Sequence, residues 1–531
     1  MMGNKKLQVW LPLLFSVVMI LGMFYGYKLG GGTGFFKKNE TNSLQEALDI
    51  IRTHYVDEIN SDSLQEDAIQ QMMKELDPHS VYFPPVQLKE VNEELAGNFD
   101  GIGVEYNIFN DTINIVYVLP DGPSEKAGLQ IGDKIIKVNG VSLIGKDIPD
   151  NKIKETIRGK KGSVAVLDII RNNNPVTIHV TRGSIPISSV DAAYMIDKTT
   201  GYIKLNKFIA TSYEDFMKAL EGLTKQNMQE LIFDLRGNGG GYMDEAIDIV
   251  DEFLDGEKLI VYTEGLHSKK REYKCKRPGL FEKGKLVVLV DELSASASEV
   301  VSGALQDWCR AKVIGRRTFG KGLVQQQYEL SDGSALRLTV ARYYTPLGRS
   351  IQRPYDKGKK VYMDEVWQRY QNGEALYADS NKIENGKEFK TVCGEVVYGG
   401  GGIMPNIFVP IDTSGFPTRL NRLFTNGTIN SFVYQWYLKN KPQIDKYASA
   451  AEFAAQFNPA EALWNDFVTY TNKDSLDLNT ISASQKQFLL NRLQANLARF
   501  RWRNYGYFQV LNNEDQLLKK ALEEVKNKSG L

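Results

Sequence analysis

Three serines stand in the stretch Ser294–Glu299, SASASE, directly after the apolar run Leu286–Val290 and ahead of a helical pattern over Glu299–Trp308. A turn between a buried strand and a helix exposes its side chains, and the helix N-terminus favours negative charge, which suits a nucleophile. Serine attacks a carbonyl only with a base beside it. No histidine occurs between Asp291 and Gln327; the candidate base is Lys321, flanked by Gly320 and Gly322, which leave little side chain to obstruct close approach. Serine–lysine pairs carry out the same acyl transfer as serine–histidine pairs. An amine with an ordinary pKa of about 10.4 accepts a proton near neutrality only where a dry, apolar setting depresses that value. Phe319, Leu323 and Val324 are the apolar neighbours. The competing use for Ser294, Ser296 and Ser298 is to cap the following helix; the glycine-flanked lysine downstream weighs against it.

Asp291–Gln327 resembles the catalytic signature of the C-terminal processing peptidases, tail-specific serine endopeptidases that use a Ser–Lys dyad. The resemblance implies Ser296, the middle serine, as nucleophile, Lys321 as general base and Gln325 as the residue that orients the amine. Upstream, Leu231–Tyr242 (LIFDLRGNGGGY) reads as a buried strand running into a glycine turn, followed by a helix over Met243–Leu254. Tetrahedral intermediates of acyl transfer need preorganised donors, and bare backbone N–H groups at such a turn approach closely. The family motif D-L-R-x-N-x-G-G puts Gly240 and Gly241 at the oxyanion hole, with the N–H of Ala297 as a further donor. Gly239 stands where the family commonly has proline. The glycine turn has no following G-K-[ST], as a phosphate cradle would.

Between Phe99 and Arg182 the pattern changes to short strands: Gly101–Tyr106, Thr112–Pro120, Gly132–Gly140 with an Asn-Gly turn, Ser163–Ile170 and Pro175–Thr181, with helical pieces at Ser124–Leu129 and Asp150–Arg158. The series GIGV, PSEKAGL, GDKIIKVNG and IRGKKG resembles a PDZ domain. A glycine loop leaves backbone N–H groups free for a terminal carboxylate, and the next strand edge pairs with the peptide. Gly101, Ile102, Gly103 and Val104 form that loop and strand start. Arg158 matches an arginine that in the family links peptide binding to the active site; a cation at a helix C-terminus is the plainer reading.

Around these blocks the chain carries no charge between Lys6 and Lys28. The run Leu7–Tyr27 has the roughly 20 residues a membrane-crossing helix needs. Lys5 and Lys6 favour a cytoplasmic N-terminus, and Trp10, Phe24, Tyr25 and Tyr27 lie where interfacial aromatics sit. A cleaved signal would show a shorter apolar core and a small-x-small site; Gly30–Gly32 is the only approach to one. The expectation is a single-pass inner-membrane anchor with the catalytic part in the periplasm. With 65 basic and 65 acidic residues, nothing points to nucleic acid. Three cysteines, Cys275, Cys309 and Cys393, have no metal-ligand spacing and leave at least one thiol free. No metal or cofactor is implied.

The expected fold is multidomain α/β. It comprises an N-terminal membrane anchor and linker (1–42), a helical region (43–97), a PDZ domain (98–185), an α/β peptidase core of the crotonase or ClpP-like kind (186–414) and a helical C-terminal region (415–531). The turn Leu76–Ser80 closes the helical region, with His79 as a turn residue. In the core, Ser350–Tyr355 leads in the family straight into a G-I-x-P-D-I-x-V segment. Here the counterpart, Gly401–Pro410, follows a polar insertion (356–398) and carries Asn406 where aspartate is usual. No motif of the family covers the C-terminal region. The resemblance implies protein substrates with exposed apolar C-terminal tails, with a homo-oligomer or an adaptor as further partners. A silent PDZ scaffold and a crotonase-like acyl enzyme are the rivals; the complete Ser–Lys–Gln set opposes the first, the PDZ block and the anchor the second.

Overall fold

The computed structural model describes residues 5–29, 43–109, 111–145, 148–377, 386–413, 420–457, 460–472 and 478–527. The chain divides into two units, Met1–Met72 and Met73–Leu531. The first holds three helical stretches: Lys5–Leu29, Ser43–His54, and the beginning of Ser61–Leu76. Trp10–Gly26 of the first helix is exposed throughout. Among the described residues no helix is long and apolar enough to cross a membrane. The side chains of Leu7 and Tyr27, which bound the expected span, and the linker from 30 to 42 lie outside the described residues.

The second unit is built on a sheet with the order Val190–Met195, Thr200–Leu205, Glu230–Asp234, Lys285–Val290, Lys312–Gly315, Ile407–Phe408; every pair after the first is parallel. Its central strands are apolar on both faces (LIF, LVVLV), as parallel strands covered on both sides must be. Helices Ser212–Thr224, Met243–Asp251 and Ala297–Asp307 cover one face through Phe216, Leu220, Val250, Val301 and Leu305. On the other face lies a C-terminal helix, Gln516–Lys526, whose Leu517, Leu518, Ala521 and Val525 recur at helical spacing against Ile232, Val287 and Leu289. Each large aliphatic side chain so buried contributes about 1.5–3 kcal/mol. The C-terminal region therefore completes the core of this sheet as well as forming its own aromatic-rich cluster around Phe432, Trp436, Phe453 and Phe467.

An antiparallel sheet stands beside this core, with Ala335–Tyr344 between Val81–Phe83 and Leu259–Glu264, and with Leu323–Glu329 also paired to it. The PDZ block folds into strands Val104–Phe109, Thr112–Val118, Lys134–Val138, Val164–Arg171 and Asn174–Thr181, with the helix Asp150–Ile157. Asn139 and Gly140 both take positive φ, as the Asn-Gly turn requires. The insertion contains a helix, Lys359–Gln371, and a hairpin, Glu388–Lys390 with Val396–Tyr398; residues 378 to 385 lie outside the described residues. Cys309 and Cys393 form a disulfide that ties the hairpin to the end of the helix Ala297–Asp307, leaving Cys275 free and buried. Sequence spacing alone had offered no pairing for them.

Candidate active site

Ser296 is the residue before the helix Ala297–Asp307 and holds φ 56°, ψ −113°. Positive φ is uncommon for a residue with a side chain and is held only where the surroundings over-determine it. The source here is Glu299, fully buried one turn on. Its carboxylate accepts the N–H of Ser296 at 2.9 Å, of Lys321 at 2.9 Å and of Gly320 at 2.7 Å, and the hydroxyl of Thr318. One side chain thus pins the backbone of both candidate catalytic residues. Burial, its largest influence, pushes the Glu299 carboxyl above the usual carboxylate range, while the four donors pull the other way.

The three serines separate by what their hydroxyls do. Ser294 donates to the Leu235 carbonyl at 2.9 Å and accepts the N–H of Asp291; Ser298 donates to the Asn238 carbonyl at 2.8 Å. Both are wholly buried. Ser296 alone of the three lines a cleft of about 720 Å3, together with Gly240, Gly241, Lys321, Gln325 and Arg337.

Lys321 sits in the loop before Leu323–Glu329, and its amine donates to Gln325 Oε1 at 3.0 Å. No hydrogen bond joins the amine to Ser296 among the described residues; catalytic hydrogen bonds of free enzymes are often long and tighten only with substrate. Gln325 is itself held, its amide donating to the carbonyl of His79 at 2.5 Å. Burial first, and then the nearby Arg337 guanidinium, hold the Lys321 amine below its ordinary value against the pull of Asp77 and Glu299. Leu323 is buried and Val324 partly so, in keeping with the expected apolar setting; Phe319 packs instead on His79, Tyr362 and Arg353.

Gly240 and Gly241 have positive φ of 94° and 149°. A Cβ on Gly240 would stand 2.7 Å from the Ser296 Cβ, and one on Gly241 would stand 1.9 Å from the Phe208 carbonyl oxygen, so only glycine fits either place. The N–H of Gly240 is engaged, donating to Asn238 Oδ1 at 2.9 Å. Those of Gly241 and Ala297 have no partner among the described residues, so the donors open to an oxyanion are these two. Gly240 supplies room rather than a hydrogen bond in this arrangement.

Several residues that sequence reasoning passed over belong to the site. The Tyr343 hydroxyl, with one proton to donate, lies within hydrogen-bond reach of the carbonyls of both Ser296, at 3.0 Å, and Lys321, and so stands between the two segments. Nothing local in ARYY marks it. Glu299 had a signal, since Ser296 and Glu299 stand at capping-box spacing. His79 is a turn residue as expected, but its turn supports the site: its carbonyl anchors Gln325 and its ring meets Tyr362 at 2.9 Å. Burial, and next the charge of Lys321, push its imidazole down to about 3. The insertion is a buttress: Arg369 donates to the carbonyls of Arg317, Thr318 and Phe319 directly before the lysine loop, and Glu365 gathers Arg317, Arg353 and Arg369.

In the PDZ block, Gly101, Ile102, Gly103, Val104 and Arg158 line one groove of about 420 Å3 against the helix Asp150–Ile157. Gly103 takes φ 74°, and Ile102 is buried at the top of the domain core. Arg158 lies 4.5 Å over the Phe99 ring and 3.8 Å from Glu93. Glu93 is on the helix Pro85–Ala96, whose Val91, Asn92, Glu94 and Leu95 line the cleft that holds Ser296. Arg158 therefore lines the groove and reaches, at Glu93, the helix that borders the cleft.

Residues 199–358 match peptidase family S41, 115–171 the PDZ domain, and 32–84 the N-terminal domain of the activating protease CtpB. Residues 419–503 match a separate family of unknown function. A "Probable CtpA-like serine protease" of Staphylococcus epidermidis is 33% identical over 72% of this chain and 76% of its own length. A carboxy-terminal-processing protease of Bartonella bacilliformis is 35% identical over 59% of this chain and 74% of its own. Among solved structures, a photosystem II D1 C-terminal processing protease is 29% identical over 58% of this chain and 83% of that one, with a TM-score of 0.35. The chain belongs to peptidase family S41 and is a serine-type C-terminal processing peptidase carrying a PDZ domain.

Proposed function

We propose that the protein is an endopeptidase of the cell envelope that captures substrates by their C-terminal tails and cleaves them with Ser296 and Lys321. One observation carries the catalytic part: Ser296 is the sole serine of its cluster on the cleft, and Glu299 fixes its backbone to that of Lys321. Neutral Lys321 takes the proton of Ser296 as its oxygen attacks the scissile carbonyl, then returns it to the leaving amine. Gln325 holds the amine in place. Gly241 and Ala297 offer N–H groups to the tetrahedral oxyanion.

The tail-capturing part rests on the groove beside Gly101–Val104 and the open edge of the strand Val104–Phe109. Arg158, through Glu93, is the residue through which an occupied groove would bear on the cleft. The envelope reading draws on the uncharged, exposed stretch Trp10–Gly26 and on the Cys309–Cys393 disulfide, since such bonds persist in oxidising compartments. The test is cleavage of an unfolded reporter ending in a free apolar tail by the purified full chain. Ser296→Ala and Lys321→Ala should each remove cleavage; either variant cutting at the parent rate defeats the dyad.

A further inference from the structure

The groove of the PDZ domain is completed by a residue from outside it. The strand Val104–Phe109 is the edge of its sheet, paired only with Thr112–Val118, so its other side is open to a peptide strand. Tyr106 faces the groove helix and donates to Asp150 at 3.3 Å. The pairing with Thr112–Val118 shifts register between Tyr106 and Glu105, and the Glu105 carboxylate at the rim of the groove reaches the helix Ala483–Leu511 of the C-terminal region. There Arg503 grips the Glu105 carboxylate with both terminal nitrogens and lies 3.5 Å over the Tyr117 ring. The helix leaves helical geometry at Arg503 itself, with φ 59° and ψ −152°, a strained conformation for a residue with a side chain, at the point where it meets the PDZ strand.

Arg499, one turn earlier, comes within 3.7 Å of Glu105 but has no hydrogen bond among the described residues. It is exposed and lines the groove beside Glu105 and Asn107. Two guanidinium groups thus face one carboxylate, and Arg503 already satisfies that carboxylate with paired hydrogen bonds. One positive charge with five unengaged donors is left beside the path of a peptide.

We infer that Arg499 is a specificity-determining residue that selects an acidic side chain near the end of the substrate tail. The inference rests on the reading of the groove as the tail site given above. A peptide pairing with Val104–Phe109 alternates as the strand does. With its terminal apolar side chain toward the groove helix, the residue before the terminus and the one two places further in face Arg499. A carboxylate there takes the unengaged guanidinium; an ammonium there is repelled. The apolar requirement applies to the terminal residue, and the C-terminal region reads the alternate positions.

The test uses the full chain carrying Ser296→Ala, so that bound peptides survive, and fluorescent peptides sharing one apolar terminal residue with Asp, Ala or Lys at the two alternate positions. Anisotropy at low and moderate salt gives the ratio of Lys-tail to Asp-tail Kd. The ratio should favour Asp by about two- to fivefold, the range of an exposed charge pair, and shrink with salt. Arg499→Lys should keep its sign, and Arg499→Glu should bring it to one or invert it. An unchanged ratio in Arg499→Glu overturns the inference while leaving the tail site intact. Equal binding of free and amidated tails overturns the tail site, and the inference with it.

Discussion

The serines of the cluster differ at the level of single hydroxyls, Ser296 on the cleft and Ser294 and Ser298 buried against backbone carbonyls, and the difference has measurable consequences. Ser296→Ala removes a cleft hydroxyl and should abolish cleavage with little change in Tm. Ser294→Ala and Ser298→Ala each remove a buried hydrogen bond to a backbone carbonyl that keeps a second donor, the Asn238 N–H on Leu235 and the Ala295 N–H on Asn238. They should cost about 0.5–1.5 kcal/mol of stability and leave kcat within a few-fold below the melting range. Thermal unfolding beside a cleavage assay separates the two classes. In the proposed dyad Lys321 sets the pH dependence. Only the neutral amine accepts the serine proton, so kcat should rise with pH through the Lys321 pKa, which burial and Arg337 hold below the ordinary value. Arg337→Met removes a positive charge that favours the neutral amine, so the rise should move to higher pH; a profile that stays in place would show that Arg337 does not tune the base. Lys321→Arg should be inactive, because a guanidinium stays protonated.

Between residues and the whole molecule, elements meet at Glu299 and Tyr343. Glu299→Gln turns one acceptor oxygen into a donor that faces N–H groups, so it should lower kcat by an order of magnitude or more and also lower Tm. Tyr343→Phe removes the hydroxyl that joins Ser296 and Lys321 through their carbonyls. It should reduce kcat more than KM, which steady-state kinetics on a tail-bearing reporter would report. Paired Cys309→Ser and Cys393→Ser should lower stability by about 2–5 kcal/mol by opening a long loop, and should weaken the buttress under the lysine loop. At this scale the sequence is only partly legible. The strand, glycine turn and helix around Gly240 and the serine turn before Ala297 are local patterns, read correctly to within a few residues. The Glu365–Arg369 network and the bond from Gln325 to His79 join distant segments, and no periodicity or spacing announces them.

Across the whole molecule, the C-terminal region is where sequence reading fell shortest. Its helices were legible, but their placement was not. Gln516–Lys526 closes the peptidase sheet, Asp515 pairs with Arg236 of the glycine-turn segment at 2.6 Å, and Arg503 meets the PDZ strand. Such docking is decided by complementary faces far apart in the chain. Deleting residues from Gln516 onward should therefore expose Ile232, Val287 and Leu289 and give an insoluble or unfolded core, seen as loss of cooperative melting. The proposed anchor makes a separate prediction: mass spectrometry of protein extracted from the membrane fraction should find the N-terminal segment retained, and a new N-terminus near Gly30–Thr33 would mean a cleaved signal. The central claim concerns the dyad, and it is tested most directly by mapping the covalent adduct of a serine-reactive sulfonyl fluoride on the full chain by mass spectrometry. The adduct should fall on Ser296, form faster as pH rises, and be lost in Lys321→Ala. Labelling of another serine, or of Ser296 at an equal rate without the lysine, would contradict it.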